Sequence, residues 1–355
     1  MKNFMKTIIM ALPLAAWIVA LPTAMTSCAD MDGDGIDSIL WTGSINPENS
    51  SYRNPVWEPS LAGGTILKGS SRFVAISADT QWAKDLTYRC PAIMSSDLTD
   101  WSFAQEAFAA PLESNPTASI NSLSADFAKT VANANYWLFY GYDDNTIGAA
   151  SASYAQGPYT DLGVFLTAQD LGASTLRDPF FLVASTNFYV CYTTEVGTYL
   201  QKVTIRRGRI PTTSGEPKLI AGTAFSDIAL YRVSGSQVYL FGNVGDEVRY
   251  ARADNINGPY LDKSGNDVAT GSQGEPFIAA SEQYVHPENV QRLFPSSTEG
   301  LLYVAFNATR ADKPNLSSGF ARKPLFINPV RLGEDGWFTE MTYPVEGWTS
   351  PLYEL

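Results

Sequence analysis

The stretch DPFFLVASTNFYVCYT, residues 178–193, has the pattern of a β-hairpin. Two runs rich in aromatic and β-branched residues flank the polar segment ASTN, and this composition is typical of two strands that are joined by a short turn. A single hairpin buries too little apolar surface to be stable alone. The fold therefore depends on whether the chain repeats this unit.

Four further segments share the design of an apolar strand, a short polar turn and a second strand with an aromatic residue near its start. They are EPSLAGGTILKGSSRFVAIS (58–77), ADFAKTVANANYWLFYG (125–141), DIALYRVSGSQVYLFGN (227–243) and, most loosely, ENVQRLFPSSTEGLLYVAFN (288–307). The tripeptide Gly-Pro-Tyr also recurs, at residues 157 and 258, in the same place of two units. Five copies of one hairpin indicate a repeat architecture.

The spacing of the units predicts their arrangement. The intervals are 64, 52, 50 and 64 residues between the aromatic anchors Phe73, Trp137, Tyr189, Tyr239 and Tyr303. Each interval has room for one four-stranded sheet, and no segment of comparable length shows a helical period. Repeated hairpins without intervening helices favour radial repetition around an axis. The sequence therefore predicts an all-β fold, a five-bladed β-propeller that spans residues 51–355.

The N-terminal region predicts export. Residues 1–27 combine Lys2 and Lys6 with a following apolar run, the pattern of a secretion signal. The sequence MTSC (25–28) resembles a bacterial lipobox, which would make Cys28 the lipidated first residue of the mature protein, and an ordinary cleaved signal with an incidental cysteine is the alternative. The acidic stretch within residues 28–50 is similar to the surface-export signal of Bacteroidetes lipoproteins. We expect an outer-membrane lipoprotein on the cell surface, held only by its N-terminal lipid.

Charge and cysteine content limit the partners. The chain has 24 Lys and Arg against 36 Asp and Glu, a formal net charge of −12. Because nucleic acids are bound by basic surfaces, nucleic acid is not an expected partner. After Cys28 only Cys90 and Cys191 remain, far apart in the repeat, so we expect two buried thiols rather than a disulfide. We expect a monomer.

Ionisable residues stand near the start of the first strand in every unit. They are Glu58, Asp126, Asp178, Asp227 and His286, the only histidine of the chain. In a propeller the leading ends of these strands open on one face, so the five side chains are expected to converge on one funnel. Carboxylates that meet at an axis raise each other's pKa and need a cation or a substrate proton beside them.

The order of these features resembles glycoside hydrolase family 43, whose members are five-bladed propellers that act on arabinan and xylan, and most of all its endo-arabinanase branch. The likeness also includes SSDLTDW (95–101) and RKPLFI with the later DGW (322–337). It implies inverting hydrolysis of arabinan or arabinoxylan with three acids. Glu58 would be the general base, Asp178 the residue that tunes the general acid, and His286 would lie beside a metal ion, calcium, in the channel.

The position of the general acid departs from the family pattern. Ser226 stands where the resemblance implies a glutamate, and serine does not protonate a leaving sugar oxygen near neutral pH. Asp227, one residue further on, is the candidate acid, with Asp126 as an alternative. Side chains alternate between the faces of a strand, so Asp227 needs a β-bulge to point inward.

Two hypotheses for the function follow. The first is a surface-tethered glycoside hydrolase of the arabinanase, arabinofuranosidase or xylosidase type, and the second is a non-catalytic glycan-binding lipoprotein with a degenerate site. In both cases the partner is an oligosaccharide or polysaccharide. Besides the acids, the predicted substrate-binding residues are Asp126, Ser226 and the aromatic residues Trp57 and Phe180, since aromatic rings stack on sugar faces.

Overall fold

A computed structural model describes five sheets around one axis, in residues 51–69, 71–113, 115–129, 134–233, 237–295, 300–339 and 348–349. The predicted signal peptide, Cys28 and the acidic tether lie outside these residues. Two 3-10 helices of three residues, Gln169–Leu171 and Val268–Thr270, interrupt the strands. In the described part of the chain no helix has the length and apolar character to cross a membrane.

The first two blades are four-stranded antiparallel sheets. Strand β1 (Ser51–Tyr52) precedes them. Blade one contains, from the axis outward, β2 (Thr65–Lys68), β3 (Phe73–Ile76), β6 (Pro91–Ser95) and β7 (Trp101–Glu106), with a hairpin of β4 (Thr80–Ala83) and β5 (Leu86–Tyr88) inserted after β3. Blade two contains β8 (Ile120–Lys129), β9 (Ala134–Tyr142), β10 (Thr146–Ala152) and β11 (Thr160–Thr167). In both blades the first strand is innermost.

The remaining blades follow the same plan. Blade three contains β12 (Arg177–Ala184), β13 (Asn187–Thr193), β14 (Gly197–Arg206) and β15 (Arg209–Gly222). Blade four contains β16 (Ser226–Arg232), β17 (Val238–Val244), β18 (Glu247–Ala253) and β19 (Glu275–Ile278). Blade five has three strands, β20 (Tyr284–Pro295), β21 (Leu301–Arg310) and β22 (Leu325–Arg331), and β23 (Trp348–Thr349) pairs with β1. All five aromatic anchors lie on second strands, which confirms the predicted five-bladed propeller.

The ring closes between the two ends of the propeller. Each inner strand contacts the inner strand of the next blade, and β20 contacts β2. The segment before β2 lies along β22, where Val56 and Trp57 exchange backbone hydrogen bonds with Leu325. The Asn54 side chain adds hydrogen bonds to the backbone of Ile327. The N-terminal segment thus completes the C-terminal blade.

The core consists of five apolar clusters, one between each pair of neighbouring blades. Each blade is therefore covered by a neighbour on both faces. This explains why strands such as FVAI (73–76) are apolar throughout and do not alternate between apolar and polar residues. Cys90 and Cys191 belong to two of these clusters as free, buried thiols, as predicted. Burial of apolar surface between blades supplies the main stabilisation of such a ring.

The two Gly-Pro-Tyr steps have equivalent structures, as their spacing predicted. In each, the tyrosine is buried and its hydroxyl donates a hydrogen bond to a backbone carbonyl four residues earlier, Tyr159 to Ala155 and Tyr260 to Ile256, both at 2.9 Å. These contacts fix the connection that follows the third strand in blades two and four.

Candidate active site

A cavity of about 470 Å³ opens where the inner strands begin. All five blades contribute to its wall. The ionisable lining residues are Asp79, Arg177, Asp178, Asp227, Glu288 and Lys323. Ser226 and Asn243 also line it, as does Phe320, whose residue surface is 38% exposed. The convergence of the strand starts on one cavity agrees with the expected geometry of a propeller.

A repeated irregularity shapes the wall of this cavity. The inner strands of blades three, four and five each contain a residue with a left-handed backbone, Asp178 (φ 53°), Asp227 (φ 52°) and Asn289 (φ 47°). The strand pairing slips at the same points. A bulge of this kind re-aims side chains, and it explains how Asp227 reaches the cavity together with its neighbour Ser226.

The residue before each bulge occupies an equivalent position in the three blades. Arg177 pairs with Thr193, Ser226 with Asn243 and Glu288 with Asn307 on the second strands. All three of these inner-strand residues line the cavity. Blade five therefore presents a carboxylate at the position where blade four presents a hydroxyl.

Backbone hydrogen bonds link the acidic residues of adjacent blades. The carboxylate of Asp178 accepts a hydrogen bond from the N–H of Asp227. The carboxylate of Asp227 in turn accepts one from the N–H of Asn289, the residue that follows Glu288. The carboxyl groups of blades three and four are thus held against the next blade by the backbone itself.

The environment of Asp227 favours its protonated form. The group retains some contact with the cavity, but protein surrounds it on its other sides, and this desolvation together with the charges of Asp178 and Glu288 raises its pKa to about 8. The ammonium group of Lys323 and the N–H of Asn289 oppose the shift in part. At neutral pH the folded protein therefore holds a proton on Asp227.

The other charged groups of the cavity are paired. Arg177 lies 3.6 Å from the carboxylate of Asp178, and burial raises the pKa of Asp178 while Arg177 and the N–H of Asp227 counteract that effect. Lys323 contacts both carboxylate oxygens of Glu288, at 2.7 and 2.8 Å. The carboxyl groups of Asp227 and Glu288 thus line one cavity from adjacent blades.

Glu58 and His286 lie outside the residues that line this cavity. Glu58 belongs to the segment that closes the ring along blade five, where its buried carboxylate accepts a hydrogen bond from Arg310. The side chain of His286 is 60% exposed, and its ring is hydrogen-bonded to Asp246 at 2.9 Å. The repeat spacing placed both near the funnel. Glu58 instead lies in the closing segment, and the strand pairing of blade five slips around His286, whose own φ is 49°.

The other predicted contact residues divide between the core and the axis. Trp57 is 1% exposed and packs edge-on against Trp82 in the core, so it offers no face to a sugar. Asp126 and Phe180 line a second cavity of about 220 Å³ along the axis, together with Arg292. Burial raises the pKa of Asp126, and the charge of Arg292 opposes that rise. Of the predicted site residues, Asp178, Ser226 and Asp227 share the cavity at the strand starts.

The resemblance implied a metal ion beside His286, and the structure offers a test of that fit. Within the described residues no three His, Cys, Asp or Glu side chains are grouped so that they could hold a metal ion. His286 is already hydrogen-bonded to Asp246 and is not among the residues that line the cavity. The residues that the structure describes therefore do not fit a protein-ligated metal site at His286.

Comparison with known proteins gives a consistent assignment. A sequence profile described as glycosyl hydrolases family 43 matches residues 52–338. No curated protein sequence matches the chain. Solved structures that match the fold include the arabinanase of Bacillus subtilis, with 20% identity, a TM-score of 0.60 and coverage of 79% of this chain and 97% of that chain.

Two further structures belong to the same group. The family 43 endo-arabinanase of Bacillus licheniformis shares 19% identity, with a TM-score of 0.59 and coverage of 79% of this chain and 98% of that chain. A family 43 arabinoxylan arabinofuranohydrolase of Bacillus subtilis, solved in complex with cellotetraose, shares 16% identity, with a TM-score of 0.66 and coverage of 88% and 71%. At these identities the likeness concerns the fold.

Proposed function

The chain belongs to glycosyl hydrolases family 43, and on this premise we propose that it is an inverting glycoside hydrolase that cleaves arabinofuranosyl linkages in arabinan or arabinoxylan. The observation that carries the proposal is the placement of Asp178 and Asp227 in one open cavity at the strand starts. Paired carboxyl groups in different protonation states are what glycoside hydrolysis requires.

Asp227 is the general acid in this proposal. Its proton, retained at neutral pH because of desolvation and the neighbouring negative charges, passes to the glycosidic oxygen as the bond to the anomeric carbon breaks. Proton donation is most effective when the pKa of the acid lies near the working pH. Asp178 tunes Asp227 because its carboxylate accepts the N–H of that residue and its charge raises the pKa.

The choice of an arabinose polymer rests on the relatives and on the cavity. The similar structures include arabinanases and an arabinoxylan arabinofuranohydrolase. Phe320 lines the cavity and remains partly exposed, so its ring can stack on a sugar face. Asn243 contributes a buried amide oxygen that has no protein partner, and Ser226 pairs with it in register. Both are polar groups for the hydroxyls of a bound sugar.

The setting of the enzyme forms part of the same proposal. The sequence pattern of residues 1–50 supports an exported lipoprotein of the outer membrane, anchored through Cys28, that works as a monomer at the cell surface. Such a tether would keep the propeller near polymeric glycans outside the cell. Labelling with radioactive palmitate, lost in a Cys28→Ala variant, is the expected result.

A hydrolysis assay tests the proposed reaction. The purified protein should release reducing ends from arabinan or arabinoxylan, or 4-nitrophenol from its α-L-arabinofuranoside, and NMR should show the product first in the inverted anomeric form. The Asp227→Asn variant should lose about 10²–10⁴-fold in rate, the usual contribution of a general acid, and still bind the polymer. Tight binding by the wild type with no turnover on any of these substrates would instead indicate a glycan-binding protein.

A further inference from the structure

Glu288 has the properties of a catalytic carboxylate that the family resemblance does not assign. Its side chain lines the same cavity as Asp178 and Asp227. It precedes the bulge of blade five as Ser226 precedes the bulge of blade four, and their partners Asn307 and Asn243 are equivalent on the second strands. The fold therefore presents Glu288 in the same manner as the residue at which the acid was expected.

Glu288 and Asp227 are also tied together locally. The carboxylate of Asp227 accepts the N–H of Asn289, which adjoins Glu288 in the chain, and the charge of Glu288 contributes to the raised pKa of Asp227. A bidentate contact with Lys323 holds Glu288 in one position. The carboxyl groups of Asp227 and Glu288 thus face the same cavity from neighbouring blades.

The residue that the sequence suggested as the general base, Glu58, has another role in the structure. Glu58 is buried against Arg310 in the closing segment and does not line the cavity. Asp178 is adjacent to Asp227 and accepts its N–H, which suits a tuning role. Among the described acids of the cavity wall, Asp79 is occupied by the backbone N–H groups of Cys90 and Ile120. Glu288 is the remaining carboxylate.

We propose that Glu288, held by Lys323, is the general base of the hydrolysis, and this assignment rests on the proposed function. Glu288 removes a proton from a water molecule, whose oxygen forms a bond to the anomeric carbon. The bond between that carbon and the glycosidic oxygen breaks, and the leaving oxygen takes the proton of Asp227. The proton on Glu288 then returns to Asp227 through solvent, which restores the starting state.

Chemical rescue distinguishes a base from a residue that only supports the fold. Glu288→Ala should lower kcat by about 10²–10⁴-fold on 4-nitrophenyl arabinofuranoside. Added azide should restore the rate and yield an arabinosyl azide of inverted configuration, because azide attacks without losing a proton. Glu288→Gln, which keeps a hydrogen bond to Lys323, should fold with an unchanged melting temperature and be equally slow. Glu58→Ala is the matched control and should not respond to azide.

The outcomes separate the two proposals. An active wild type whose Glu288 variants retain activity, or in which azide rescues Glu58→Ala instead, overturns the assignment of the base and leaves the hydrolase intact. Loss of activity in both folded Glu288 variants without azide rescue also overturns it. A wild type without turnover on any arabinose substrate overturns the hydrolase function and this assignment together.

Discussion

The carboxylate of Asp178 accepts a hydrogen bond from the backbone N–H of Asp227, so the charge of one acid lies beside the proton of the other. This relationship predicts the effect of Asp178→Asn. Removing the charge should lower the pKa of Asp227, and the alkaline limb of kcat/KM against pH should therefore move to lower pH. The rate at pH 7 should fall as the acid loses its proton. An alkaline limb that stays in place or moves upward would contradict the tuning role.

Lys323 predicts a shift of the opposite sign. Its ammonium group lowers the pKa of Asp227 in the native protein. In Lys323→Met this effect is lost, so the pKa of Asp227 should rise and the alkaline limb of kcat/KM should move to higher pH. The same pH series that is measured for Asp178→Asn provides the comparison. Shifts of equal sign in the two variants would show that Asp227 does not control the limb.

The raised pKa of Asp227 also predicts how stability depends on pH. The ordinary value is 3.8 and the folded value is about 8, so between these values the folded state binds a proton that the unfolded state has lost. Stability contributed by this group therefore declines as pH rises from about 4 to about 8. Asp227→Asn keeps a neutral side chain at all pH values and should remove that decline.

Thermal melts at pH 5 and pH 8 measure this effect. We expect the melting temperature of Asp227→Asn to exceed that of the wild type at pH 8 by at least about 2 °C, with a smaller difference at pH 5. Asp254→Asn, a substitution at an exposed position, is the control and should leave the pH dependence unchanged. A wild type that melts at pH 8 at the same temperature as Asp227→Asn, or at a higher one, would argue against a protonated Asp227.

The sequence predicted much of the fold because the ring imposes a period on the chain. The second strand of each blade packs in an equivalent place in the ring, so an aromatic anchor recurs on each of these strands, from Phe73 to Tyr303. Asp178 and Asp227 were found for a similar reason, since each is the second residue of an apolar inner strand. These are local signals that survive in one sequence.

The rest of the site depends on features that spacing does not record. The direction of Glu288 and His286 is set by where the strand of blade five bulges, and the position of Glu58 is set by closure against a blade at the other end of the chain. Aligning ENVQR with SDIAL and RDPFF would have brought Glu288 opposite Ser226 and Arg177. Phe320 and Lys323 lie between strands, outside the repeat. Phe320 carried no sequence signal, and the RKPLFI motif that includes Lys323 did not indicate its contact with Glu288.

Glu58 is expected to matter for stability rather than for turnover. Its buried carboxylate is hydrogen-bonded to Arg310, which also binds Asp312. Glu58→Gln should lower the free energy of unfolding by about 1–3 kcal/mol because a charge-assisted hydrogen bond is weakened. The value of kcat/KM at 25 °C should stay within about threefold. Urea unfolding and the arabinofuranoside assay measure both quantities, and a loss of activity above a hundredfold in a folded variant would return the base to Glu58.

Phe320 tests whether the cavity binds sugar by stacking. The ring lines the cavity and is 38% exposed. Phe320→Ala should raise KM for an arabino-oligosaccharide by about two- to tenfold, since a stacking contact is worth about 0.5–1.5 kcal/mol, with little effect on the melting temperature. Phe127, 42% exposed and outside this cavity, is the matched control. Equal changes in KM for the two alanine variants would exclude a specific platform.

Asn54 tests whether the ring is held closed by its N-terminal segment. The amide group donates to the carbonyl of Ile327 at 2.9 Å and to the side chain of Asn328 at 2.6 Å, and it accepts the N–H of Ile327 at 3.0 Å. Asn54→Ala leaves the N–H of Ile327 without its partner, while the carbonyl of Ile327 still accepts the hydroxyl of Tyr52, and should cost about 1–3 kcal/mol of unfolding free energy. The urea midpoint should fall while kcat/KM at 25 °C is unchanged, because the cavity residues keep their contacts. Asn257→Ala, at an exposed turn position, is the control. An equal urea midpoint for both variants would show that the apolar cluster between blades five and one closes the ring without help from Asn54.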